Sequence, residues 1–204
     1  MRDEGILTVS YLAMTTVAIM IGAVGILTDS PVLIVGAMVV GPDDGPLAAI
    51  TFPLHRRRPR KARQALRTLA ARYLAGLTGA VLLTGAVQLF GNIPAAYELG
   101  LRPLTSFVTR PDGWSVTVAI LAGVAGMLAL TEAKARTIVG VLISVTTIPA
   151  ASNLAVRLAT GRWAELGGAA EQLAVNFVLL VAVGLVVLHV ERFFGRRAQP
   201  DATS

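Results

Sequence analysis

Residues 31–54, PVLIVGAMVVGPDDGPLAAITFPL, are apolar and long enough to cross a bilayer, yet the middle of the run reads Gly41-Pro42-Asp43-Asp44-Gly45-Pro46. Proline lacks a helix donor and clashes with the preceding turn, and glycine loses more backbone freedom on folding than any other residue. Two of each cannot sit inside one unbroken helix. Each carboxylate placed in hydrocarbon costs roughly 2.5 to 3.5 kcal/mol on insertion scales. A chain that carries such a stretch has to surround it with groups that satisfy the freed backbone and answer the charge.

The rest of the chain fits a membrane setting. Of its 204 residues 54% are hydrophobic and 15% charged, against roughly a quarter charged in soluble domains, and the mean hydropathy is +0.69. Six apolar segments are expected to span, at 6–27, 31–54, 73–90, 114–130, 138–158 and 173–190. The ten-residue alternation of a β-barrel is absent. With no cysteine there is no disulfide, thiolate nucleophile or cysteine metal site. The net charge of +6 is read as topology rather than nucleic-acid binding. The first apolar run has an acidic flank, Asp3-Glu4, and no clear cleavage site, so it is read as a retained span.

Between the spans lie a tight turn at Thr28-Asp29-Ser30 and a basic segment, His55-Arg56-Arg57-Arg58-Pro59-Arg60-Lys61, extended by Arg63, Arg67 and Arg72. Leu66, Leu69, Tyr73 and Leu74 recur at helical spacing there. They predict a short amphipathic surface helix running into the third span. Residues 91–113 read as a loop with three prolines, 161–172 as a second polar loop, and 198–204 as a disordered tail. Placing the segment after span two in the cytoplasm puts fourteen basic residues inside and four outside (Arg102, Arg110, Arg157 and Arg162). That predicts an inner-membrane, multi-pass protein with both termini cytoplasmic.

Spans one to three and four to six share a plan, with an interrupted helix between two unbroken ones. Ile34-Val35-Gly36 matches Ile138-Val139-Gly140, and each is followed by a proline interruption, at Pro42 and Pro149. Three spans repeated in tandem alternate in orientation. The expected architecture is therefore an all-α integral membrane fold of two inverted three-helix repeats (6–91 and 114–190, with an outer loop at 92–113 and a cytoplasmic tail at 191–204), the second helix of each repeat broken. Paired interruptions of this kind are the best sequence pointer to a transporter site.

The chemistry concentrates at these interruptions. Helix over residues 31–41 covers roughly 16 Å of a core about 30 Å thick, which puts Asp43 and Asp44 somewhat past the middle. Freed carbonyls with two carboxylates make a hard-oxygen cation site, and a mutually repelling pair suits proton coupling. Equally open is a place at the inner interface, paired with Arg56 to Arg58, with Asp44 capping the following half-helix. The second interruption supplies Thr146, Thr147, Ser152 and Asn153, either facing the aspartates or re-satisfying carbonyls freed by Pro149. Asn176 is a lone polar residue of span six, fit for a ligand or for interhelical bonding. The candidate solute or ion site is thus Gly41, Pro42, Asp43, Asp44, Gly45, Thr146, Thr147, Pro149, Asn153 and Asn176. Arg56, Arg57, Arg58, Arg60 and Lys61 are candidates for anionic lipid. No nucleotide loop, zinc pair or nucleophile elbow is present, so no catalysis, metal or cofactor is expected.

The run GILTDSPVLIVGAMVVGPDDGPLAA (25–49) resembles the bacterial and archaeal membrane family catalogued as domain of unknown function 389. IVGVLISVTTIPAASNL (138–154) resembles its second signature, and the asparagine of its last span falls at Asn176. The resemblance extends over about 7–190. Many relatives carry apolar or singly acidic residues where Asp43-Asp44 stand, and many carry two prolines where Pro149 is followed by Ala150. The resemblance implies a polytopic membrane protein and no settled activity. The residues point to a small cation- or proton-coupled permease acting in a lipid bilayer, with a homo-oligomer expected. The alternative is a non-transporting scaffold or anionic-lipid-interacting protein.

Overall fold

A computed structural model describes residues 9–41, 44–101, 103–105 and 136–195, with single positions at 113, 117, 120, 121 and 124. Over 44–48, 136–146 and 191–195 it describes the backbone alone. Every regular element among the described residues is a helix. Most of the fourth expected span and the tail at 196–204 lie outside them, although Gly113, Thr117, Ile120, Leu121 and Val124 are helical.

Helix α1 (Val9–Leu27) is joined to α2 (Pro31–Val40) by a turn in which Asp29 takes a left-handed φ of 50°. The Ser30 hydroxyl accepts from Leu33 N at 3.5 Å, and Pro31 opens α2 at a position where a missing N–H costs nothing. Gly25 lets the two helices close, since a Cβ there would lie 2.9 Å from Ile34 Cγ1. At Gly41 the backbone turns extended (φ −83°, ψ 107°), and its N–H still bonds Ala37 O at 3.0 Å. A residue before proline is pushed out of the helical region, so Pro42 ends α2 one residue early. The chain resumes as α3 (Asp44–His55).

After Arg56-Arg57-Arg58, where Arg57 has φ 54°, α4 (Pro59–Leu89) runs for 31 residues without interruption. The expected surface helix and third span are therefore one rod. Its buried stripe is Ala62, Ala65, Leu69, Arg72, Tyr73, Gly76, Ala80 and Thr84. Leu66 and Leu74 stand exposed while Arg72 is buried, which corrects the stripe read from leucine spacing. The small residues let helices approach closely, and the leucines face outward as they do in a bilayer. Among the described residues of 91–105 the one helical segment is α5 (Ala95–Glu98).

Helix α6 (Arg136–Ala159) passes straight through Pro149. The predicted break in the second repeat is not there. Pro149 removes one backbone bond, and the seven residues 147–153 around it are all buried, so packing holds the helix together. Helix α7 (Trp163–Gly195) begins immediately after a turn at 160–162. The expected polar loop over 161–172 is its first turns, because Ala, Glu, Leu and Gln there are good helix formers.

Among the described residues three helices are long and apolar enough to cross a membrane: 9–27, 59–89 and 163–190. Pro31–Val40 is a shorter apolar helix. Helix α6 is the hub and packs against α1, α2, α3, α4 and α7. The core joins Ala18, Ile19, Ala23 and Ile26 of α1 to Ile34 and Ala37 of α2, and to Ile148, Ala151 and Ala155 of α6. Both α4 and α6 run parallel to α1: Arg72 Nη2 donates to Thr15 Oγ1 at 2.6 Å while Gly76 lies against Ile19, and Ile148 lies near Ala18 while the Ser152 hydroxyl, which donates to Ile19 O at 3.0 Å and Ile148 O at 2.9 Å, lies against Gly22.

Candidate functional site

The interruption at Gly41 and the proline segment of α6 meet. A methyl group added at Gly41 would come 2.9 Å from Ile148 Cδ1 and 3.2 Å from Ala18 Cβ. Ile148 is the residue before Pro149, and Ala18 is the middle residue of α1. The end of α2 therefore sits halfway along an apolar helix, where water is scarce. The Met38 carbonyl has no onward helix partner at this point, because the residue four further on is Pro42, which carries no N–H.

Around this level the bundle buries polar side chains. Thr147, Ser152 and Asn153 of α6 and Thr51 of α3 are fully buried, and Asn176 and Gln172 of α7 are 5% exposed. Thr147, Pro149, Asn153 and Asn176 are thus placed in the interior. Thr146 continues α6, and Asp44 and Gly45 form the first turn of α3. Pro42 and Asp43 lie outside the described residues, and for Asp44, Gly45 and Thr146 the backbone alone is described.

Two buried arginines were missed by reading the sequence. Arg72, 3% exposed, donates to Thr15 and lies 5.1 Å from the centre of the Tyr11 ring. Arg157, 5% exposed, was counted among the outer loop charges. Its Nε donates to Asn153 Oδ1 at 3.0 Å, and its Nη1 donates to Glu165 O at 2.6 Å and pairs with Glu165 Oε2 at 3.2 Å. The sequence held one usable signal for it. Asn153 and Arg157 stand four apart on one helix face, and Glu165 follows across a short turn.

The bundle has two polar ends. At one end α5 is pinned to the turn before α7: the Arg162 Nη2 donates to Tyr97 O at 3.0 Å and Glu98 O at 3.2 Å, its guanidinium sits 4.8 Å above the buried Tyr97 ring, and Tyr97 and Thr160 share a hydroxyl contact at 3.4 Å. On the same end Asp29 accepts from Thr105 N at 2.9 Å and Thr105 Oγ1 at 2.8 Å. The opposite end is basic. Arg56, Arg57, Arg58, Arg60 and Lys61 are all exposed at the corner between α3 and α4. Beside them the rings of His55 and His189 meet edge to face at 4.9 Å.

A family model described as Domain of unknown function (DUF389) matches residues 38–182. No curated protein and no solved structure matches the chain.

Proposed function

The chain belongs to the domain of unknown function 389 family, and we propose from its geometry that it works as a small membrane permease, coupled to a proton or a monovalent cation. The observation that carries this reading is the meeting of Gly41 with Ile148 at the middle of α1, inside a layer of buried polar side chains. Backbone without helix partners is tolerated at membrane depth only where protein or a polar path satisfies it. A half-helix ending there, with the next beginning at Asp44, is the kind of discontinuity with which transporters build midplane sites.

Asp43 and Asp44 are the proposed coupling groups. The α3–α4 hairpin turns at Arg57, and equal residue counts along its two arms would set Asp44 near the level of Arg72. Two carboxylates and one guanidinium leave a single net negative charge, which suits one proton or one monovalent cation better than a divalent ion. Thr147 and Asn176 would supply neutral oxygen ligands. The proposed arrangement has six spans in two inverted repeats, with the Arg57 corner on the cytoplasmic side.

The test is flux in proteoliposomes under an imposed pH or cation gradient. The double substitution Asp43→Asn with Asp44→Asn abolishes coupled flux while leaving the folded fraction intact. Flux unchanged by it would remove the pair from the mechanism.

The exposed corner of Arg56, Arg57, Arg58, Arg60 and Lys61 supports a second reading, in which the protein docks on anionic lipid without transporting. Each such residue contributes about 1 kcal/mol of attraction near an anionic surface. On that reading vesicles show no flux, and function follows the anionic-lipid content.

A further inference from the structure

Helices α6 and α7 share a seam that is polar from the level of the break to the Tyr97 end. Their register is set by Arg157, whose guanidinium meets Glu165 at the mouth of the hairpin. One turn along α6 from Arg157 stands Asn153, and two turns along α7 from Glu165 stands Gln172. Asn153 and Arg157 are bonded to each other, so Asn153 shares the face of α6 that Arg157 turns to α7. One further turn along α7 lies Asn176, and further down α6 lies Thr147, next to the residue that meets Gly41.

Two atoms in this seam carry the argument. Asn153 Nδ2 and Gln172 Oε1 are buried, and neither has a hydrogen-bond partner among the described residues. The bond from Arg157 Nε to Asn153 Oδ1 fixes the Asn153 amide, so its unmet atom is a donor. The unmet atom of Gln172 is an acceptor. Folded proteins satisfy nearly every such group with protein or ordered water. A donor and an acceptor at neighbouring levels are met together by a small neutral molecule that both accepts and donates. The Arg157 charge beside them, answered by Glu165, disfavours a free cation at this point.

We propose that Asn153 and Gln172 form a station for a small neutral hydrogen-bonding solute, water or a molecule of urea's size, on the route between the break and the Tyr97 end. The Arg157–Glu165 bridge closes that route. The station rests on the transport reading for its direction of use, and supplies the half of the path that the break itself does not.

The chain has no cysteine, so single substitutions report cleanly. Asn153→Cys and Gln172→Cys proteins in vesicles are treated with a neutral hydroxyethyl methanethiosulfonate. Glu165→Cys serves as the exposed reference and the fully buried, apolar Ala151→Cys as the dry one. Gln172→Cys is expected to label far faster than Ala151→Cys. Adding Glu165→Gln should speed it by roughly tenfold, the population shift expected when a contact that holds a closed state is lost. Slowing by added urea identifies a bound solute, and labelling insensitive to urea identifies water. If Gln172→Cys and Asn153→Cys label no faster than Ala151→Cys, while Glu165→Cys reacts, the seam is dry and the station does not exist. Labelling reads hydration rather than flux. A dry seam therefore leaves the aspartate test standing, and flux indifferent to Asp43 and Asp44 leaves the labelling result standing.

Discussion

Gly41 and Pro149 sit in the two segments that read alike, and they behave differently. The first ends a helix. The second lies within one. At Gly41 the following proline excludes helical backbone, so α2 stops, and the second Gly-Pro pair falls in the first turn of α3, where a missing N–H costs nothing. At Pro149 a single ring removes a single bond. Helix α6 also lies at the centre of the bundle, with Ile148, Ala150, Ala151, Ser152 and Asn153 all fully buried. A proline on a helix enclosed by five others is held by its neighbours. At Gly41 the backbone leaves the helical region, and a new helix starts at Asp44.

The difference can be broken by mutation. The largest effect is expected for Gly41→Leu, because Ile148 and Ala18 already close around the backbone. Overpacking of this kind costs about 1 to 3 kcal/mol and more when the neighbours are backbone-anchored, so loss of the folded protein in detergent melts is expected. Gly36→Leu, one turn earlier on α2 with open space around it, should melt like the parent. Equal losses in the two variants would mean that added bulk on α2, and not the contact with α6, sets the cost, since leucine is a better helix former than glycine.

Pro149→Ala probes the other side. Since α6 is already helical, restoring an N–H and a good helix former should raise stability, by about 1 to 2 kcal/mol after the lost ring packing is set against a propensity gain of up to roughly 3. A fall in melting temperature would show that the proline shape itself is needed at the crossing with Gly41. The smallest effect is expected for Ser152→Ala. Its hydroxyl ties α6 to Ile19 O of α1, and Gly22 leaves just enough room for it, since a Cβ there would run into the Ser152 side chain. Loss of that bond should cost about 1 kcal/mol. A cost near zero would assign the α1–α6 contact to shape alone.

How far the sequence could be read follows from these same residues. Apolar length located α1 and the end of the first half-helix, and the proline rule placed the stop at Gly41 to within a residue. The turn at Asp29-Ser30-Pro31 was legible because its chemistry is local: a left-handed residue, a hydroxyl cap and a proline at the first helical position. The start of α7 was missed because Glu165, Gly167, Gly168 and Glu171 look like loop in composition, although they fall on exposed positions of a helix. Arg72 was read as a charge on a surface helix and Arg157 as loop charge because a one-dimensional count has no inside. Their burial depends on Thr15 and Glu165, which are distant or across a turn.

By itself the sequence determined where helix must fail and where apolar length suffices to cross a membrane, since both follow from backbone chemistry and residue spacing within one segment. The tertiary structure decided that Pro149 stays helical, that Gly41 ends halfway along α1 against Ile148, and that two arginines and a row of amides face inward. Those outcomes depend on what the neighbouring helices bring to the same point, and no local rule of backbone or hydropathy contains them.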